Sequence, residues 1–87
     1  MTPVHNLFIV VEDLLYSNHS VINIVLPYWN KKKEIGPQLV KILRMAGLPR
    51  LKTTPEEWVI LTDKGIRYIY FTTSVNIYGN NNIVIIP

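Results

Sequence analysis

The chain contains twelve isoleucines but a single alanine, Ala46, and this imbalance limits how it can fold. Alanine is the best helix former, so helices here must be stabilised by packing rather than by intrinsic propensity. The 87 residues include no cysteine, which excludes a disulfide framework and any zinc site built on thiolates. We therefore expect a single domain, residues 1–87, with one hydrophobic core.

The location of the charges narrows the class of protein further. All nine lysines and arginines fall between Lys31 and Arg67, where four carboxylates oppose them. Residues 1–30 carry a net charge of −2, and residues 68–87 carry none. A concentrated basic segment of this kind is typical of a surface that binds a polyanion. No apolar run reaches the roughly 18 residues of a membrane span, and the N-terminus lacks a signal-peptide pattern. We therefore expect a cytoplasmic protein with no membrane partner.

The strongest helical pattern covers residues 36–47. Gly36 and Pro37 stand at its start and Gly47 at its end, which is the usual arrangement at helix boundaries. Apolar side chains recur at the i, i+3, i+4, i+7 spacing, namely Leu39, Ile42, Leu43 and Ala46. The pattern predicts an amphipathic helix with a polar opposite face.

Two segments precede this helix. Residues 4–17 have apolar residues at helical spacing with Glu12 and Asp13 on the other side, which predicts an amphipathic helix. Residues 21–26 form a short β-branched run that fits a buried strand better than a buried helix, although periodicity alone does not separate the two. Pro27 then suits the first position of a short helix that would run through the lysines.

The second half of the chain favours strands. A turn at 53–55 precedes a predicted strand at 58–61. Residues 62–73 allow two structures, because Thr62 is a suitable helix cap while residues 62–65 also suit a hairpin turn leading into a strand. At the end of the chain, a turn at 79–82 between 75–78 and 83–86 predicts a β-hairpin.

The middle of the chain resembles the winged helix-turn-helix transcription regulators. The resemblance lies in a helix ending in Ala46–Gly47–Leu48, then Arg50 and Lys52, then a strand leading into Leu61–Thr62–Asp63–Lys64–Gly65. In that family the recognition helix commonly ends in Ala-Gly-Leu, and the wing commonly leads into Leu-Thr-x-Lys-Gly. The resemblance spans roughly residues 36–70. It implies an α+β winged helix-turn-helix domain with about three helices, a small antiparallel sheet or wing, and a C-terminal β-hairpin. If residues 66–73 form a strand, the hairpin 58–71 would itself be the wing.

The resemblance also implies a function. Helix 37–46 would enter the major groove of double-stranded DNA, as in a transcriptional regulator, with two further cations on the wing. The residues that would contact DNA are Gln38, Lys41, Arg44, Arg50 and Lys52. Glutamine, lysine and arginine are suited to adenine, phosphate and guanine contacts. The alternative is that Lys41 and Arg44 merely form the solvent-exposed face of an amphipathic helix and bind nothing.

Other residues have competing interpretations. Lys31, Lys32 and Lys33 could anchor phosphates, or they could form a solvated surface run. Trp29 and Trp58 could stack on unpaired bases, although tryptophans in a small domain more often belong to the core. A third possibility is an aromatic platform for RNA at residues 68–71.

No pattern predicts catalysis or a cofactor. The two histidines, His5 and His19, are fourteen residues apart with no third ligand nearby, so we expect no metal site and no enzyme. A single reading helix covers a short DNA site, which favours a homodimer on two half-sites. The C-terminal hairpin is a candidate interface, although residues 83–86 could instead complete the domain's own sheet. A non-catalytic protein-protein adaptor built on the same fold is the alternative function.

Overall fold

Five strands form one mixed sheet, and two helices pack against one of its faces. The computed structural model describes residues 3–73 and 77–87. In chain order the elements are α1 (Pro3–Tyr16), β1 (Val21–Val25), α2 (Lys31–Met45), β2 (Arg50–Thr53), β3 (Glu57–Thr62), β4 (Gly65–Thr72) and β5 (Asn82–Ile85). The strand order is β2-β3-β4-β1-β5, with β1 parallel to both of its neighbours and β3 antiparallel to both β2 and β4.

The core lies between the helices and one face of the sheet. Register places Ile22 and Ile24 of β1 beside Ile69 and Phe71 of β4 on this face. Leucine, isoleucine and valine side chains of both helices are buried against it, namely Leu7, Val10, Leu14, Ile35, Leu39 and Leu43. Both helices therefore cover the same face of the sheet, and the apolar stripe of each one explains why it folds there.

The other face of β1 is covered by the connection from β4 to β5. Asn23, in the middle of β1, is fully buried. Its side-chain amide donates a hydrogen bond to the carbonyl of Tyr78 (3.2 Å), and its oxygen accepts one from the Tyr78 N–H (3.0 Å). A Cβ added at Gly79 would lie 2.8 Å from Cγ2 of Val21, so the connection passes very close to the strand.

A hairpin turn joins β3 to β4. The hydroxyl of Thr62 donates to the carbonyl of Gly65 (2.8 Å) and accepts from the N–H of Lys64 (3.2 Å). Of the two structures that the sequence allowed for residues 62–73, the hairpin turn and strand are confirmed, and the helix from Thr62 is wrong. The strand is favoured because residues 66–71, apart from Arg67, are β-branched or aromatic and alternate between the two faces of the sheet.

The first half of the chain agrees with most of its predicted elements. The predicted helix 4–17 is α1, and the strand alternative for residues 21–26 is confirmed by β1. The short helix from Pro27 is wrong, because residues 27–30 form bends and a turn. The strand predicted at 58–61 lies within β3.

The predicted start of the helix 36–47 is wrong by more than one turn. α2 begins at Lys31, and Pro37 lies inside it. Both Ile35 and Gly36 are buried, so the apolar stripe extends towards the N-terminus and the packing favours a longer helix. Pro37 has no N–H to donate to the carbonyl of Lys33, a local loss that this packing offsets.

The winged helix-turn-helix prediction is wrong. The described residues contain two helices rather than about three, and a five-stranded mixed sheet replaces the small antiparallel wing. The hairpin of β3 and β4 is the middle of this sheet, and its residues Ile69 and Phe71 are buried under the helices. A wing projects from its domain, whereas this hairpin is held in place by its apolar side chains.

The C-terminal hairpin prediction is also wrong. β5 pairs in parallel with β1, in a register that places Ile85 opposite Ile24. Residues 75 and 76 of the predicted first strand lie outside the described residues. The alternative expectation, that residues 83–86 complete the domain's own sheet, is confirmed for the residues of β5.

Candidate functional site

Two cations from different elements meet at one buried tryptophan. Lys32 lies in the first turn of α2, and Arg50 begins the edge strand β2. The Nζ atom of Lys32 is 5.8 Å from the centroid of the Trp58 ring, and the guanidinium carbon of Arg50 is 5.1 Å from it. Both distances are in the range of cation–π attraction. The fold thus brings together two positive charges that are distant in sequence.

Trp58 is a rigid support for these cations. It is 3% exposed, and Phe71 packs against it edge-on with 5.0 Å between ring centroids. Its indole N–H is buried and has no hydrogen-bond partner among the described residues. An unsatisfied buried donor costs about 1–3 kcal/mol. The ring that holds the two cations therefore also carries an unused donor.

The start of α2 concentrates positive charge where a helix already has a positive end. Three lysines, residues 31–33, form its first turn, and the side chain of the N-cap residue Asn30 makes no capping hydrogen bond within the described residues. Glu34 is the acid in this turn, with 3.8 Å between its carboxylate and the ammonium of Lys31. Lysines near a helix N-terminus oppose the helix dipole, at a cost of about 0.3–1 kcal/mol each. A bound anion would remove this cost.

The partial burial of Lys32 also favours a bound anion at this end of α2. Burial lowers the pKa of Lys32 below that of an ordinary lysine, and the carboxylate of Glu56 partly offsets this effect. A cation that has lost part of its hydration gains more from a nearby anion than a fully hydrated one does. An anion bound beside Lys32 would therefore raise the pKa of its ammonium again.

Exposed aromatic rings border these cations. Tyr28 and Trp29 immediately precede α2 and are 71% and 41% exposed. The ammonium of Lys32 is 5.8 Å from the centroid of the Trp29 ring. We use the name basic end for six residues: Tyr28, Trp29, Lys31, Lys32, Lys33 and Arg50. The basic end thus combines charge with ring surface that is open to solvent.

The residues predicted to contact DNA do not form one surface. Lys41 and Arg44 lie together on the exposed outer side of α2, as predicted for an amphipathic helix. Gln38 is half-buried, and its side-chain oxygen is buried without a hydrogen-bond partner among the described residues. This oxygen is therefore not available to a base edge.

The two predicted wing residues are separated by the sheet itself. Register places Arg50 opposite Ile60, on the face covered by the helices, and Lys52 opposite Val59, on the other face. The ammonium of Lys52 is 3.0 Å from the carboxylate of Glu57. Arg50 therefore joins the lysines that begin α2, whereas Lys52 is engaged in an ion pair elsewhere.

Sequence reasoning missed two buried polar residues. Asn23 stands in the apolar run of β1, and a lone polar residue inside such a run is a signal that could have identified it. Asp13 was expected on the polar side of α1, but it is 8% exposed and its carboxylate lies 2.7 Å from Nδ1 of His19. Both residues tie a loop to a regular element.

A tyrosine–carboxylate pair lies on the face of the sheet opposite the helices. Tyr70 is paired across the strands with Glu57, and its hydroxyl donates a hydrogen bond to that carboxylate. This bond and partial burial raise the pKa of Tyr70 to about 12, and the same bond lowers the pKa of Glu57. The ring of Tyr70 also stacks on Tyr78, with 4.7 Å between centroids.

We expect one tyrosine to ionise late when the folded protein is titrated with base. The folded-state pKa of Tyr70 is about 12 against 10.0 for an ordinary tyrosine, so the pair stabilises the fold below pH 10 and loses that contribution between pH 10 and 12. The lowered pKa of Glu57 means that the carboxylate's share is lost on acidification. The phenolate absorbance of wild type, Tyr70→Phe and, as a control, the exposed Tyr16→Phe measures this. A late step that persists in Tyr70→Phe would contradict the assignment.

Neither a metal cluster or membrane span among the described residues nor a known relative indicates a function for this chain. Within residues 3–73 and 77–87 no group of three or more metal-binding side chains comes together. Neither of the two helices has the length and apolar character needed to cross a bilayer. No family model, no curated protein and no solved structure matches the chain.

Proposed function

We propose that this protein binds nucleic acid without catalysis, holding the phosphate backbone at its basic end. The observation that carries the proposal is the meeting of Lys32 and Arg50 at the ring of Trp58. A polyanion would supply negative charge at this end of the molecule, where its four cations face the carboxylates of Glu34, 3.8 Å from Lys31, and of Glu56, near Lys32. Each phosphate neutralised by a lysine or arginine also releases counterions, which favours binding at low salt.

The exposed rings of the basic end favour single strands over duplexes. Trp29 and Tyr28 present ring surface next to the lysines, and unpaired bases stack on such rings with about 1–3 kcal/mol per base. Bases inside a duplex are not available for this contact. The preferred ligand is therefore single-stranded DNA or RNA, with little dependence on sequence.

Neutralising the two central cations should reduce affinity for a labelled single-stranded oligonucleotide by roughly tenfold or more. The variant is Lys32→Gln with Arg50→Gln, and the measurement is fluorescence anisotropy at about 50–200 mM salt. Because two phosphate contacts are removed, the slope of log K against log salt should also become shallower by about 1.4.

The matched control for this experiment is Lys41→Gln with Arg44→Gln. It changes the net charge equally, but both residues lie on the outer side of α2, away from the Trp58 cluster. We expect this control to keep most of its affinity for the oligonucleotide. Trp29→Ala should weaken the free energy of binding by about 1–3 kcal/mol, because one stacking contact is lost. Equal losses in the two double variants, or no binding at low salt, would overturn the proposal.

A second candidate is duplex DNA bound by the outer side of α2, in the manner of a regulator that reads base edges. The observation in its favour is that Lys41 and Arg44 are both exposed and share one stripe of the helix. This mode requires a preference for duplex and a loss of sequence preference in the Lys41/Arg44 variant. The anisotropy experiment separates the two modes, because each predicts a different double variant as the defective one.

A further inference from the structure

The face of the sheet opposite the helices has an apolar surface that the described residues leave open to solvent. We use the name open face for Val59, Leu61, Ile66, Tyr68, Tyr70 and Tyr78. Leu61, Ile66 and Tyr68 are 42%, 47% and 37% exposed. Register places Val59 beside Tyr68 and Leu61 beside Ile66, so these side chains form one continuous patch on two strands. Contiguous apolar patches on small soluble proteins mark sites of association.

The charges near the open face exclude a polyanion as its occupant. The one cation that register places beside it among the described strand residues is Lys52, and that ammonium is paired with Glu57 at 3.0 Å. Glu57 also accepts the hydrogen bond from Tyr70, so a carboxylate contacts the patch. Register places Arg50 and Arg67 opposite Ile60, on the helix side, and the ammonium of Lys64, in the turn, donates to the carbonyl of Ser17 (3.2 Å). The open face is thus apolar and locally neutral.

We propose that two copies of this chain associate through their open faces, around a twofold axis. Such an interface is self-complementary, because each copy contributes the same patch. Pairing the faces buries no unpaired charge, since the lysine and glutamate at the rim already neutralise each other. The two largest extents of the molecule, 32 and 27 Å, limit any one face to about the 800 Å² per partner of a standard interface, so a dimer of this size would use most of the side on which the open face lies.

This dimer does not depend on nucleic-acid binding, because the open face and the basic end lie on opposite sides of the sheet. A dimer of this kind would carry one basic end on each outer side. Failure of either proposal leaves the other standing, since the two are tested with different variants and different readouts.

The test is sedimentation velocity of the purified chain at about 1–100 μM. We expect a dimer in the wild type and a rise in the dimer dissociation constant of roughly tenfold or more in Ile66→Lys, because an unpaired ammonium would be buried at the interface. Tyr68→Gln, a milder change, should weaken the dimer in the same direction. Met45→Lys is the matched control: Met45 is 83% exposed on α2, and adding a cation there should leave the dimer intact.

Circular dichroism tests whether each variant is folded. If Ile66→Lys is unfolded, the dissociation constant of the Tyr68→Gln dimer tests the proposal instead. A wild type that remains monomeric at about 100 μM would overturn the proposal. So would a dimer that both open-face variants leave unchanged, or one that Met45→Lys disrupts equally, because the interface would then lie elsewhere.

Discussion

Replacing Asn23 with alanine should lower the free energy of unfolding by about 3 kcal/mol. Asn23 is fully buried and makes two hydrogen bonds, one to the carbonyl and one from the N–H of Tyr78. The substitution leaves both backbone groups without their partner, at about 1–3 kcal/mol for each buried group that stays unsatisfied. Urea denaturation followed by circular dichroism measures the loss as a fall in the unfolding midpoint with an unchanged slope.

The control is Asn82→Ala, which removes a hydrogen bond to the same connection in a more open setting. The side-chain amide of Asn82 donates to the carbonyl of Gly79 at 2.8 Å, and this bond is exposed. Water can replace it, so we expect a loss of about 1 kcal/mol or less. An Asn23→Ala variant no less stable than Asn82→Ala would show that the buried amide does not hold the connection.

Elements defined by neighbouring residues could be predicted from the sequence. The helix at 4–17 has its apolar residues at helical spacing, and the turn at 62–65 has its polar and glycine residues within four positions. Each of these signals is complete within about one turn of helix or one hairpin. The structure confirms the helix, and of the two alternatives that the sequence left open at residues 62–73 it confirms the hairpin turn; neither element needs a distant partner.

Elements defined by a distant partner could not be predicted. The turn at 79–82 indicates a change of chain direction but not which strand receives residues 82–85. They pair in parallel with β1, some 60 residues earlier, because Ile85 is thereby buried on the helix side of the sheet. The hairpin prediction assumed that residues 75–78 were the partner, and the turn at 79–82 would suit that pairing equally well. The local sequence therefore does not distinguish residues 75–78 from β1 as the partner strand.

The candidate site was likewise predictable only in the part that depends on local sequence. The concentration of cations in residues 31–67 is a property of the sequence, and it predicted a basic surface. It did not indicate which cations converge, because Lys32 and Arg50 are brought together only by the packing of α2 on the sheet. Lys52, two residues from Arg50, would share its face in a regular strand, but an irregularity in the register between them, of the kind a β-bulge makes, places Lys52 on the other face.

Replacing Gly79 with alanine should cost about 3 kcal/mol of stability, for two separable reasons. Gly79 has φ +76°, a left-handed conformation that costs an alanine about 1–2 kcal/mol. In addition, the new Cβ would lie 2.8 Å from Cγ2 of Val21, which is closer than side-chain atoms pack, so β1 or the connection must shift. Such overpacking typically adds about 1–3 kcal/mol. Thermal or urea denaturation of the variant measures the total.

Gly47→Ala isolates the backbone contribution. Gly47 has nearly the same φ, +70°, but nothing lies within 4 Å of an added Cβ, so only the conformational cost of about 1–2 kcal/mol applies. The steric contribution is tested by adding Val21→Ala to Gly79→Ala, because that change removes the two methyl groups in the way. The double variant should be more stable than the sum of the single losses predicts, by about 1 kcal/mol or more. Strict additivity, or equal losses at Gly47 and Gly79, would mean that the connection does not press on β1 as the structure describes.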